Sequence, residues 1–127
     1  MKTDHAHSVL LCLASNVEQK RNMEAARILL SELIADFRYT SEHWTEPVTS
    51  HGDRHAERYL NQLATGRTEL SVEVLNQCLK EIEQQLGRKH DKSGVVTIDI
   101  DLLLYDETRY HLRDWERNYV KDLLVEL

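Results

Sequence analysis

Thr97-Ile98-Asp99-Ile100-Asp101-Leu102-Leu103-Leu104-Tyr105-Asp106 is the stretch that decides the fold. It alternates with period two, the pattern of a β-strand with one face in a core. Ile98, Ile100, Leu102 and Leu104 are expected to face one way, and Thr97, Asp99 and Asp101 the other. Two carboxylates on one strand face lie about 6 Å apart and repel by roughly 1–3 kcal/mol, for a dielectric between that of water and that of a protein surface. A hard divalent cation with oxygen ligands would offset that repulsion, and magnesium carrying a nucleotide's phosphates is the commonest such case.

Working back from this strand, the preceding residues supply the rest of a sheet. Residues 8–14 form a short apolar run and read as a buried strand. Ser15 and Glu18 have capping-box spacing, so a helix is expected over about 18–36. Its apolar positions are Met23, Ala26, Leu30, Leu33 and Phe37. Residues 38–44 are rich in Tyr, Thr and Trp and favour a second strand, which Pro47 interrupts. A polar loop with Gly52 covers 49–58, and a third strand follows over 59–65, with Tyr59, Asn61 and Leu63 on one face. Ser71 is a good N-cap, Leu75, Leu79, Ile82 and Leu86 make an apolar stripe, and Gly87 stands where a C-terminal cap belongs. The second helix is therefore expected over 72–86, a polar loop over 88–94, and the acidic strand over 95–104. The tail from Asp114 is expected to be partly helical and to bury Val120, Leu123 and Leu124.

The order strand, helix, strand, strand, helix, strand predicts an α+β, ferredoxin-like βαββαβ sandwich, an antiparallel sheet with helices on one face. The 127 residues suit one domain over 1–127. With 22 acidic and 16 basic side chains the net charge is −6, which speaks against a nucleic-acid partner. The first seven residues are polar with Lys2 alone as a basic group, and no apolar run nears the roughly 20 residues that cross a membrane. A cytoplasmic protein without a membrane partner is expected. Cys12 and Cys78 lack partners at metal-ligand spacing and read as reduced, mostly buried side chains. His51 and His55 lack further ligands and read as a solvated loop.

The motifs Ala14-Ser15-Asn16, Thr45 with Pro47, Tyr59-Leu60-Asn61, Ile82-Glu83 with Gly87-Arg88, and Asp99-Ile100-Asp101-Leu102-Leu103-Leu104-Tyr105 together resemble the 6-hydroxymethyl-7,8-dihydropterin pyrophosphokinase family. The resemblance runs over about 8–120 and is most specific over 75–105. It implies transfer of the β,γ-diphosphate of ATP to a pterin hydroxymethyl group, with release of AMP, in folate biosynthesis. It also implies the ferredoxin-like fold. Asp99 and Asp101 match carboxylates that hold two magnesium ions with ATP, and Arg88 joins them as a catalytic residue. Thr45, Tyr59, Asn61 and Tyr119 match the pterin pocket. Lys80, Glu83, His111 and Arg117 match positions that meet ATP. Substrates apart, the expected state is a monomer or weak homodimer, and loops 88–94 and 48–58 are expected to close over the site to exclude water.

The chain also departs from the family. Ala14 stands where glycine is usual, and residues 89–96 are short, with no arginine after Arg88 and no tryptophan. Lys92 offers a point charge and not a bidentate fork. By analogy with arginine fingers, loss of such a cation costs about 10³–10⁵ in rate. Beside an active enzyme, two alternatives stay open: a catalytically impaired pterin- or nucleotide-binding relative, and an interaction domain whose acidic pair is only surface.

Overall fold

A computed structural model describes residues 6–47, 57–91 and 93–127. The His51 and His55 pair, Lys92 and most of the expected 48–58 loop lie outside these residues. The described chain runs β1 (His7–Ser15), α1 (Gln19–Leu30), β2 (Ala35–Tyr39), β3 (His43–Thr45), β4 (Tyr59–Thr68), α2 (Val72–Gln85), β5 (Asp99–Tyr105), β6 (Thr108–Arg109), a 3₁₀ turn (Asp114–Glu116) and α3 (Asn118–Leu124). The sheet order is β2-β4-β1-β5-β6, with β3 also on β4, and all these pairings are antiparallel. This is the α+β, ferredoxin-like arrangement that the element order implies. The strand expected over 38–44 is instead two short strands sharing β4 as neighbour.

Alternation along β1 divides the core. Val9, Leu11 and Leu13 meet Met23, Ala26 and Leu30 of α1 and Leu75, Leu79 and Ile82 of α2. Leu10 and Cys12, from the other face, meet Leu63, Leu103 and α3 residues Val120 and Leu123. The two long helices thus share one face, and short α3 covers part of the other. Leu124 is only half-buried. Cys12 is buried and Cys78 half-buried, and both are free thiols.

Helix α2 matches its local signals. The Ser71 side chain accepts from Val74 N–H at 3.3 Å, and Gly87 adopts φ 93°, the left-handed conformation that glycine tolerates without penalty. Helix α1 is shorter than its periodicity suggests. Ser15 belongs to β1 and its hydroxyl donates to Val17 O at 3.0 Å, so the capping box does not form. At the other end, β4 extends to Thr68 and pairs Arg67 with Ala35, drawing 35–39 into the sheet. Leu33 and Phe37 still pack on the core, but from outside the helix. Tertiary pairing overrides the local pattern here.

The acidic strand differs in two respects. It begins at Asp99, because 94–96 is held by Asn16 instead of by a ladder. Asn16 N–H donates to Val96 O at 2.9 Å, its side-chain amide donates to Gly94 O at 2.8 Å, and its side-chain oxygen accepts from Val96 N–H at 2.6 Å. Its pairing with β1 then shifts: Leu102 faces Leu11 while Leu104 faces Leu10. Leu103 is the extra residue of a bulge, and alternation breaks there. Leu104 therefore packs with the α3 cluster, not with Ile98, Ile100 and Leu102 as the uninterrupted pattern predicts.

Gly66 on β4 is a packing requirement. A Cβ there would press on the Ile34 side chain and sit 3.0 Å from Ala35 O. Ile34 is buried and branched, so it has little room to yield. Gly66→Ala should destabilise the protein by about 1–3 kcal/mol, read as a lower urea midpoint at unchanged slope. An unchanged midpoint would show that β2 can move aside.

Candidate active site

The sheet face that α3 leaves partly open carries one polar row. Ala14 of β1 lies between Asn61 of β4 and Asp99 of β5, and in the next row Cys12 lies between Leu63 and Asp101. Neighbouring strands are about 4.8 Å apart, so Asn61 and Asp99 stand about 10 Å apart across the Ala14 methyl.

Two hollows meet at the aspartates. One, of about 230 Å³, is lined by Ala14, Thr45, Tyr59, Asn61, Tyr119 and Arg117, with Asp99, Asp101 and Asp114 along its acidic side. The other, of about 220 Å³, is lined by Lys80, Glu83, His90 and His111, again with Asp99 and Asp101. The expected pterin residues thus share one hollow. Three of the four expected ATP residues share the second, while Arg117 lies on the first. Arg88 lines neither. Its guanidinium donates to Lys89 O at 2.6 Å and to Val95 O at 3.4 Å, and its Nε is buried without a partner among the described residues.

In the first hollow, Asn61 is oriented by its neighbours. Its side-chain nitrogen donates to His43 O at 3.0 Å and to Thr45 Oγ1 at 2.9 Å. A carbonyl can only accept, so His43 O fixes which end of the amide faces β3. A ligand in the hollow would meet the carbonyl oxygen. The Tyr119 ring lies nearly parallel to His43, with centroids 6.2 Å apart, and its hydroxyl sits 3.7 Å from Cys12 Sγ. Burial pushes the Cys12 thiol up to about 12, and burial followed by Cys12 raises the Tyr119 phenol. Both stay protonated at neutral pH, which suits packing and not nucleophilic attack.

Around the second hollow, charge dominates. Burial first, then the charge of Asp99, pushes the Asp101 carboxyl up to about 6, with Asp114 adding to the rise and His111 and Lys80 opposing it. His111 reaches back toward Asp101, Nε2 to Oδ1 3.8 Å, from a left-handed backbone at φ 52°. Glu83 is buried on α2 and accepts from Ile100 N–H at 2.7 Å, so it clamps the strand between the two aspartates. Burial raises its carboxyl, and the Ile100 hydrogen bond opposes that. Asp101, His111 and Asp114 bring potential ligand atoms within 4.8 Å of one another. Carboxylate oxygens held close against their own repulsion suit a hard cation such as magnesium. Asp114 was not marked by the sequence pattern. Its spacing of three from Arg117 is the only local trace of its place here.

Residues 10–127 match the family model described as 7,8-dihydro-6-hydroxymethylpterin-pyrophosphokinase. The chain is 33% identical to a mitochondrial folate synthesis bifunctional protein of Arabidopsis thaliana, over 95% of this chain and 23% of that protein. A second Arabidopsis thaliana folate synthesis bifunctional protein is 31% identical over 100% of this chain and 28% of its own length. A mitochondrial folate synthesis bifunctional protein of Pisum sativum is 30% identical over 94% and 25%. The chain spans about a quarter of the length of these relatives. Among the described residues no helix is long and apolar enough to cross a membrane.

Proposed function

The chain belongs to the 7,8-dihydro-6-hydroxymethylpterin-pyrophosphokinase family, and from that premise we propose that it transfers diphosphate from ATP to 6-hydroxymethyl-7,8-dihydropterin. Enzymes of this family use ATP with magnesium. The observation that carries the reading is the position of Asp99 and Asp101, on the boundary of both hollows. A transfer between two substrates needs them side by side with the charged phosphates between. The reading takes the chain as one cytoplasmic domain.

Asp99 and Asp101 would hold two magnesium ions, which supply charge stabilisation to the phosphate oxygens as the transfer proceeds. Thr45, Tyr59, Asn61 and Tyr119 would bind and orient the pterin. Lys80, Glu83 and His111 would meet the nucleotide, and Arg117 would reach its phosphates from the pterin side. The pterin hydroxymethyl oxygen then forms its bond to the β-phosphorus. The bond from that phosphorus to the oxygen shared with the α-phosphate breaks, AMP leaves, and the hydroxyl proton is released. No covalent intermediate with the protein is required.

AMP release from ATP, magnesium and the hydroxymethyl pterin is the direct test. Wild type should release AMP only with the pterin present, and Asp99→Ala should reduce the rate by about 10²–10³-fold. Equal rates in both would remove Asp99 from the mechanism. One observation favours the second reading, a binding-only relative. The Arg88 guanidinium is engaged by backbone carbonyls, and residues 89–96 supply no other arginine. Magnesium-dependent nucleotide binding without AMP release would establish that reading instead.

A further inference from the structure

Asp114 has no role in the mechanism above, yet it lines the first hollow beside Asp101. The 3₁₀ turn places it. Asp114 N–H donates to His111 O at 2.9 Å, and Arg117 N–H donates to Asp114 O at 3.1 Å. One winding therefore brings the Arg117 side chain back onto the Asp114 carboxylate, where Arg117 Nε–H donates to Oδ1 at 3.1 Å. The Asp114 side chain is only 24% exposed. It lines the same hollow as Arg117, and its carboxylate lies within 4.8 Å of the ligand atoms of Asp101 and His111.

An exposed ion pair between residues three apart contributes little to stability. This pair differs, because its carboxylate is pressed toward another carboxylate. What the contact provides is geometry. A guanidinium is a rigid planar fork, and anchoring it through Nε sets the direction of both terminal nitrogens.

We propose that Asp114 is a positioning residue for the nucleotide's phosphates: it holds Arg117 through Nε so that the terminal nitrogens face the anionic chain beside Asp101. This rests on the pyrophosphokinase reading and adds a residue to it. In this role Asp114 acts through Arg117.

The test measures binding of α,β-methylene-ATP with magnesium by titration calorimetry. Asp114→Ala should weaken it by about 10-fold or more, as removal of a partner that orients a ligating group does. Asp114→Asn keeps an acceptor oxygen for Nε–H and should bind within about threefold of wild type. Combining Asp114→Ala with Arg117→Ala should be no weaker than Arg117→Ala alone, since both remove one unit. The Arg117 Nε–H signal in ¹⁵N NMR of the ligand-free protein should exchange slowly in wild type and fast in Asp114→Ala. Unchanged affinity in Asp114→Ala, or losses that add in the double variant, would overturn the role. If wild type itself bound no nucleotide, the functional reading would fall and this role with it.

Discussion

Asp101→Asn should abolish most activity and at the same time make the metal-free protein more stable. The two effects share one cause. Burial and the nearby Asp99 charge push the Asp101 carboxyl up to about 6. The folded protein therefore holds this proton more tightly than the unfolded chain does. Below the usual carboxylate value near 4 both states are protonated and the group is neutral in the balance. As pH rises through the window from about 4 to 6, the unfolded chain ionises first and the folded state loses stability. Above about 6 the full penalty applies. The side chain is 34% exposed, so solvent screens part of this penalty. A gain on the order of 1–2 kcal/mol at pH 7.5 is expected for Asp101→Asn, or about 3–6 °C in melting temperature. Measured in a chelator across pH 4–8, the difference between the two proteins should grow toward the alkaline end. AMP release should fall by about 10²–10³-fold. A variant that is both less stable and inactive would show that Asp101 is a structural carboxylate.

Glu83→Ala should have the largest effect on stability in the site, about 2–3 kcal/mol, by urea denaturation. Beyond the β6 hairpin, which reaches only Leu104 and Tyr105, the outer edge of β5 has no strand partner among the described residues. At Ile100 the Glu83 carboxylate takes that place, at 2.7 Å and almost wholly buried. Alanine leaves the buried Ile100 N–H without its acceptor. It also loosens the one residue between Asp99 and Asp101, so kcat/KM should fall by about 10–100-fold. Glu83→Gln isolates the cause. Its side-chain oxygen still accepts from Ile100, while the charge that burial, Asp99 and Asp101 all disfavour is gone. It should stay within about 1 kcal/mol of wild type. Equal losses in Gln and Ala would mean that charge, not the hydrogen bond, holds the strand.

The parts of this molecule that could be read in advance are those whose cause is local. Helix α2 has its cap at Ser71, its stripe at Leu75, Leu79 and Ile82, and its stop at Gly87, all within 17 residues of sequence. Asp99 and Asp101 were legible because strand alternation puts them together whatever pairs beside them. The end of α1 was not, because Leu33 and Phe37 keep helical spacing while β4, some thirty residues later, draws 35–39 into the sheet. The side of Leu104 was hidden for a related reason: the bulge exists only in the pairing with β1. Asp114 needed the most. Its approach to Asp101 depends on the β6 hairpin and on the left-handed backbone at His111, and neither leaves a periodic trace.

Because Asp99 and Asp101 border both hollows, occupancy on one side cannot be energetically indifferent to the other. Anything that neutralises the pair from the nucleotide side alters the field felt by a guest entering over Ala14. Thermodynamic reciprocity then requires that the second guest change the affinity of the first by the same factor. The two guests can thus be coupled through electrostatics, without any hinge or moving segment.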